Sequence, residues 1–245
     1  MALTGSQIQT LTTTQIAALS TTTFARFSAT QIAALAVTQL NALTTATLAA
    51  LSSTQVRGLS TTELVSLTTT QIAGLTTGVL TALTVTQINS FTAAGIAALT
   101  TTQIGGLSAT QFKGLSSTEI GYLSTTQIGG LTTTQLNALT TVQLNSLSST
   151  DIAFLSVAQV NGLSGTQIKA LSTTQIDFLS TTAIAGLSTV QLALLSSTVV
   201  SALTTNQIVA LSVADVAALA HTQAHALTVN QIGAMSAAQR VAIPH

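Results

Sequence analysis

An interval of eight residues, held without one insertion or deletion, governs this chain. From Leu3 to Ala242 the sequence divides into 30 consecutive octads of the form Leu, Ser/Thr, any, any, Gln, Ile/Leu/Val, any, small. Position one is Leu, Phe or Met in all 30, and position six is a large apolar residue in 28, failing only at Ala224 and Arg240. Position two is Ser or Thr in 28, with Ala36 and Ala220 as exceptions, and position five is Gln, Glu or Asp in 24. So strict a period marks a solenoid, in which each unit buries its apolar face only by stacking on its neighbours. The expected organisation is one continuous solenoid over residues 1–245, with a degenerate C-terminal cap at about 219–245, where the consensus decays through Met235, Arg240 and Ile243-Pro244-His245.

Apolar positions separated alternately by five and three residues do not fit a long straight helix, because a step of eight residues turns the stripe by about 80°. They do not fit an unbroken strand either, since both spacings are odd and would put the two apolar residues on opposite faces. Each octad must therefore change direction. In Leu123-Ser124-Thr125-Thr126-Gln127-Ile128 the serine can cap a helix and the glutamine three residues on can return a bond to the cap's own N–H, while Leu123 and Ile128 are placed for a hydrophobic staple. Both devices recur in most octads and predict a helix start every eight residues. Small residues at position eight, in 25 of the 30 octads, are expected to let the chain turn and neighbouring coils approach. The fold expected is all-α: a superhelix of very short capped helices, one per octad. The alternative is a β-solenoid with stacked Thr and Gln ladders, because Thr and Ile favour strands.

Charge narrows the function classes. Five basic and five acidic residues give no net charge, so the footprint of a nucleic-acid partner is missing, while the repulsion that opposes self-association is also missing. Without cysteine there is no disulfide or thiolate metal site. The longest uninterrupted apolar run is Ile32 to Val37, too short to span a bilayer. The N-terminal residues lack the basic and apolar segments of a cleavable signal peptide.

Chemistry-bearing residues are sparse. Glu63, Glu119, Asp151 and Asp215 occupy position five, where each replaces the capping glutamine. Asp177 could pair with Asp151 or Asp215 only by an accident of stacking, so a two-carboxylate hydrolase is not indicated. No nucleophile elbow or phosphate loop is present, and Gly105-Gly106 and Gly129-Gly130 fall at corner positions. His221 and His225, four apart in the octad that loses both cap and staple, are weak candidates for a metal or haem contact. Large groups at position eight, Tyr122, Phe154, Phe178 and Leu194, either line up as a packing ridge if the superhelix closes every two, four or eight octads or fill local gaps. No catalytic residue and no cofactor is expected.

Runs such as Leu11-Thr-Thr-Thr-Gln-Ile-Ala-Ala and Leu171-Ser-Thr-Thr-Gln-Ile resemble the octapeptide arrays of very large secreted or surface proteins of proteobacteria, often described as adhesion or haem-utilisation proteins. The resemblance covers essentially the whole chain and implies extracellular or cell-surface placement; its motif carries no catalytic residue to this sequence. The function expected is structural: a spacer, filament or surface-layer-like element. Because Leu3-Thr4-Gly5-Ser6-Gln7-Ile8 is already a full consensus unit, the expectation is either that copies stack end to end or that the chain is a piece of a longer array. The alternative is a surface-binding module, an adhesin or an ice-binding face of paired threonines, whose polysaccharide or surface ligand the sequence does not identify.

Overall fold

The computed structural model describes residues 3–245 and places a helix in every octad. Thirty helices of four to six residues run from Gly5–Gln9 to Ala237–Val241, and among the described residues there is no strand. The architecture is thus an all-α solenoid, and the stacked-strand alternative is not supported. The chain divides into two compact units, one ending at Leu123 and one spanning Ser124–His245, each built by the same rules.

One octad shows why these residues fold this way. Ser164 has extended backbone (φ −66°, ψ 157°), its hydroxyl accepts the Gln167 N–H at 3.3 Å, and Gln167 Oε1 accepts the Ser164 N–H at 2.9 Å. The capping box therefore forms as expected and starts the helix Gly165–Ala170. The helix stops at Leu171, which returns to extended backbone (φ −60°, ψ 130°) while its N–H closes on the Ile168 carbonyl at 3.3 Å. Two successive extended residues, the position-one leucine and the next cap, make the corner. Among the described residues no backbone has positive φ, glycines included. Small residues at position eight are therefore not needed to turn the chain, which corrects half of the expectation placed on them.

Positions one and six form the core. In the first unit Ile72 and Leu75 are buried, as are Ile168 and Leu171 in the second. Helices of four to six residues would not persist alone in water, and burying each large side chain contributes about 1.5–3 kcal/mol that holds them in place.

Helices three octads apart pack on one another, for instance Thr13–Ala17 on Val37–Asn41 in the first unit and Thr181–Ala185 on Thr205–Ala210 in the second. Side chains bond to the preceding turn across 28, 30 or 31 residues, as Gln103 does to Leu75, Ala73 and Ile72. A step of 28 residues is 28/8, or three and a half octads. Successive turns are consequently offset by half an octad, and each helix lies across the junction of two helices below it, like courses of brick.

This offset gives the small residues their real task. Position eight sits against position three of the residue 29 earlier, so a Cβ on Gly114 would lie 2.6 Å from Val85 Cγ1, and one on Gly186 2.7 Å from Val157 Cγ1. The fit also runs the other way: Leu194 is large at position eight, and it rests on Gly165, where a Cβ would meet Leu194 Cδ1 at 2.8 Å. By contrast, a Cβ on Gly121 meets nothing within 4 Å. Gly114→Ala should therefore destabilise the protein by about 1–3 kcal/mol through overpacking, whereas Gly121→Ala should be neutral or stabilising by up to about 1 kcal/mol. Urea denaturation of the two variants beside the parent checks the contrast, and equal midpoints for both would remove the inter-turn contact as the reason for small residues.

Candidate functional site: the glutamine seam

The side chain that unites these features is the position-five glutamine. An amide offers one oxygen acceptor and two N–H donors. In Gln167 the oxygen is taken by the cap of its own helix, and the nitrogen donates to the Leu136 carbonyl at 2.7 Å and the Leu139 carbonyl at 2.9 Å in the turn before. The same pattern holds for Gln55, Gln87 and Gln111 in the first unit and for Gln159, Gln207 and Gln239 in the second. The carbonyls reached lie at the C-terminal end of one helix, where Leu136 also accepts the Leu139 N–H at 3.1 Å, and at the corner residue after it. These glutamines are buried, so the seam lies inside the solenoid wall. The sequence reading assigned them only the local half of this work.

Departures at position five show what the amide supplies. Glu63 keeps the cap, its Oε2 accepting the Ser60 N–H and hydroxyl each at 2.6 Å, but it is buried and its Oε1 has no partner. Asp151 and Asp215 bond to Ser148 and Ser212 in the same way, and Glu119 caps on Ser116. Each of these acids is engaged within its own octad, which fits the capping role read from the sequence. Asp177 stands apart, exposed beside Thr173 and Thr174 in a shallow open depression closed on one side by Ala202.

At Ala36 and Ala220 the cap hydroxyl is missing, and only the return bond survives, from the Ala36 N–H to Gln39 at 2.8 Å and from the Ala220 N–H to Gln223 at 2.7 Å. A second, sparser seam uses position seven: Arg57 Nε and Asn89 Nδ2 each donate, at 3.0 Å, to a carbonyl 25 residues later, Ala82 and Gly114 respectively.

The large position-eight residues fall in different settings. Phe154 and Phe178 are 58% and 46% exposed, Tyr122 is 39% exposed in the first unit, and Leu194 is half-buried on Gly165. With three and a half octads per turn, a given face recurs only every seven octads, so the separation of 24 between Phe154 and Phe178 places them side by side rather than in one column. His221 and His225 are both exposed and face each other, Nε2 to Nε2 at 3.1 Å. Among the described residues no group of three or more His, Asp or Glu side chains is placed to hold a metal ion. Nor is any described helix long and apolar enough to cross a membrane.

Fold and seam together define a repeat protein whose wall is made of interlocked short helices. Residues 45–77 match the ALTTAQ repeat family, a stretch that begins at the helix Thr45–Ala49 and closes on the first residue of Thr77–Ala82. No curated protein matches the chain.

If the outer donors of the amide hold the turns together, Gln167→Glu should cost about 1–3 kcal/mol, the usual penalty for taking the donor from a buried carbonyl, here that of Leu139. The reverse change, Glu63→Gln, supplies a donor beside an unpartnered position and should stabilise by about 1 kcal/mol. Midpoint shifts of opposite sign at constant denaturant slope are the expected signature. Identical midpoints for both variants and the parent would reduce the glutamine to a local cap.

Proposed function

We propose that the chain is a non-catalytic structural repeat element, a spacer or filament-forming segment of the cell surface or extracellular space, which associates end to end. The observation that carries this reading is the direction of the seam. Each turn offers amide donors to the turn before it and carbonyl acceptors to the turn after it, so the two faces of any turn are complementary. A heterologous contact of this kind repeats without closing and generates filaments. Gln7 and Gln15 are exposed, and their oxygens accept the Thr4 and Thr12 N–H groups at 2.9 and 2.8 Å, so each keeps the cap half of the device. Zero net charge removes the repulsion that would oppose such stacking. Five basic residues in 245 give trypsin-like proteases few sites, which suits an exposed fibre, and the resemblance to secreted surface arrays supports the same placement.

A binding face is the second reading, since threonine pairs such as Thr133 and Thr134 or Thr173 and Thr174 are exposed, although Thr125 is half-buried.

Light scattering after size exclusion, with electron microscopy, tests the proposal across a concentration series. Mass that rises with concentration and unbranched filaments are expected, and the double substitution Gln7→Glu, Gln15→Glu should suppress both without altering the circular dichroism spectrum. Monodisperse particles at the highest concentration would overturn it.

A further inference from the structure

Two of the three histidines stand in one octad, and that octad breaks the local rules twice. Ala220 supplies no cap hydroxyl, and the position-six side chain shrinks to Ala224 in the core. Departures from an otherwise uniform pattern concentrate where a site has displaced structural optimisation. The octad is nevertheless held firmly, since Gln223 keeps both ends of the seam: its oxygen accepts the Ala220 N–H at 2.7 Å, and its nitrogen donates to the Leu192 and Leu195 carbonyls at 2.8 and 2.7 Å. The helix His221–Ala224 continues into His225, which has helical backbone and whose N–H reaches the His221 carbonyl at 3.0 Å. A spacing of four on a helical segment places both imidazoles on one face.

Their Nε2 atoms are brought close together. The ring centroids are 4.2 Å apart with the planes inclined by 49°, yet the two Nε2 atoms are only 3.1 Å apart, so the rings lean together at their Nε2 ends. Two imidazole nitrogens bound to one ion at about 2.0–2.1 Å, with an angle at the metal between about 90° and 110°, lie about 2.9–3.4 Å from each other. The observed separation falls inside that range without any movement of the backbone. A direct hydrogen bond between the same atoms satisfies only one tautomeric arrangement and needs neither the exposed setting nor the loss of Ser/Thr and aliphatic residues around it.

We propose that His221 and His225 form a two-histidine chelate for a divalent late transition metal of the imidazole-preferring class, Cu²⁺, Ni²⁺ or Zn²⁺. Imidazole suits these ions, whereas Ca²⁺ and Mg²⁺ require oxygen donors that the face does not present. With two protein ligands, the remaining coordination positions go to water or to a donor from another molecule, and binding is correspondingly modest. The seam of Gln223 supplies the rigidity that presents both rings ready for the ion.

The test is isothermal titration of the full chain with Ni²⁺ alone at neutral to slightly alkaline pH, repeated with Zn²⁺. One ion per chain is expected, with at least ten-fold weaker binding in His221→Asn and in His225→Asn and unchanged binding in His245→Asn. A fourth variant, His225→Asn combined with Thr222→His, keeps the number of histidines but moves one off the shared face, and it should bind as weakly as His225→Asn. Both mutated rings are exposed, and unchanged circular dichroism will show that the variants fold. Equal affinity in the parent and the two single variants, or full recovery in the combined variant, overturns the chelate.

Discussion

A helix of five residues is almost entirely made of ends, and the position-five amide, present in 20 of the 30 octads, does much to make an array of them tolerable. Four N–H groups at the start and four carbonyls at the finish of any helix lack partners, so in segments this short nearly every peptide group faces that deficit. One amide answers both halves. Gln167 caps its own helix through oxygen and reaches the carbonyls of Leu136 and Leu139 through nitrogen. Neither carboxylate nor alcohol can do the same from this position, because neither combines an acceptor with two donors at the required length.

The half-octad stagger follows from that geometry and explains the constancy of the period. A glutamine reaching back 28 and 31 residues contacts the end of one helix and the corner after it, so each amide spans a joint in the turn before. An inserted residue would move the amides of the following turn off their joints, because they reach back 28 to 31 residues. The matching of position eight to position three tightens the same lock: bulk under Gly114 and Gly186 is supplied by Val85 and Val157, and bulk above Gly165 by Leu194. Packing at near-crystalline density leaves little room for both partners to be large.

The local half of this architecture was legible in the sequence, and the long-range half was not. The cap and staple pattern of Leu123-Ser124 through Gln127-Ile128 predicts a helix start from neighbours alone, and each helix begins one residue after its expected cap. Period eight gives no direct measure of residues per turn, since nothing local marks a contact 28 positions away. One signal was present. A capping box works with Glu as well as Gln, and a helix N-terminus favours acid, yet position five holds 20 Gln against two Glu and two Asp. That preference for the amide over the acid requires work for the two extra donors. The pairing of Leu194 with Gly165, 29 residues apart, is a second signal of the same kind. The facing of His221 and His225 was readable as a shared helical face, but the 3.1 Å approach of their Nε2 atoms depends on rotamers that no sequence pattern specifies.

With positions one, two, five and six committed to core, cap and seam, chemistry can enter this scaffold only through the remaining four. The basic residues follow that rule with one exception, Arg240 at position six. Arg57, Lys113, Lys169 and Asp177 all occupy position seven, and Arg26 occupies position eight. Positions three and seven are separated by four residues and share one helical face, so their side chains can act on a common ligand. His221 and His225 occupy that pair. Their octad gives up its cap hydroxyl and its core aliphatic but keeps Gln223, whose amide bonds the helix to the turn beneath it. What the scaffold can surrender while carrying a site, and what it must retain, are thereby separated within eight residues.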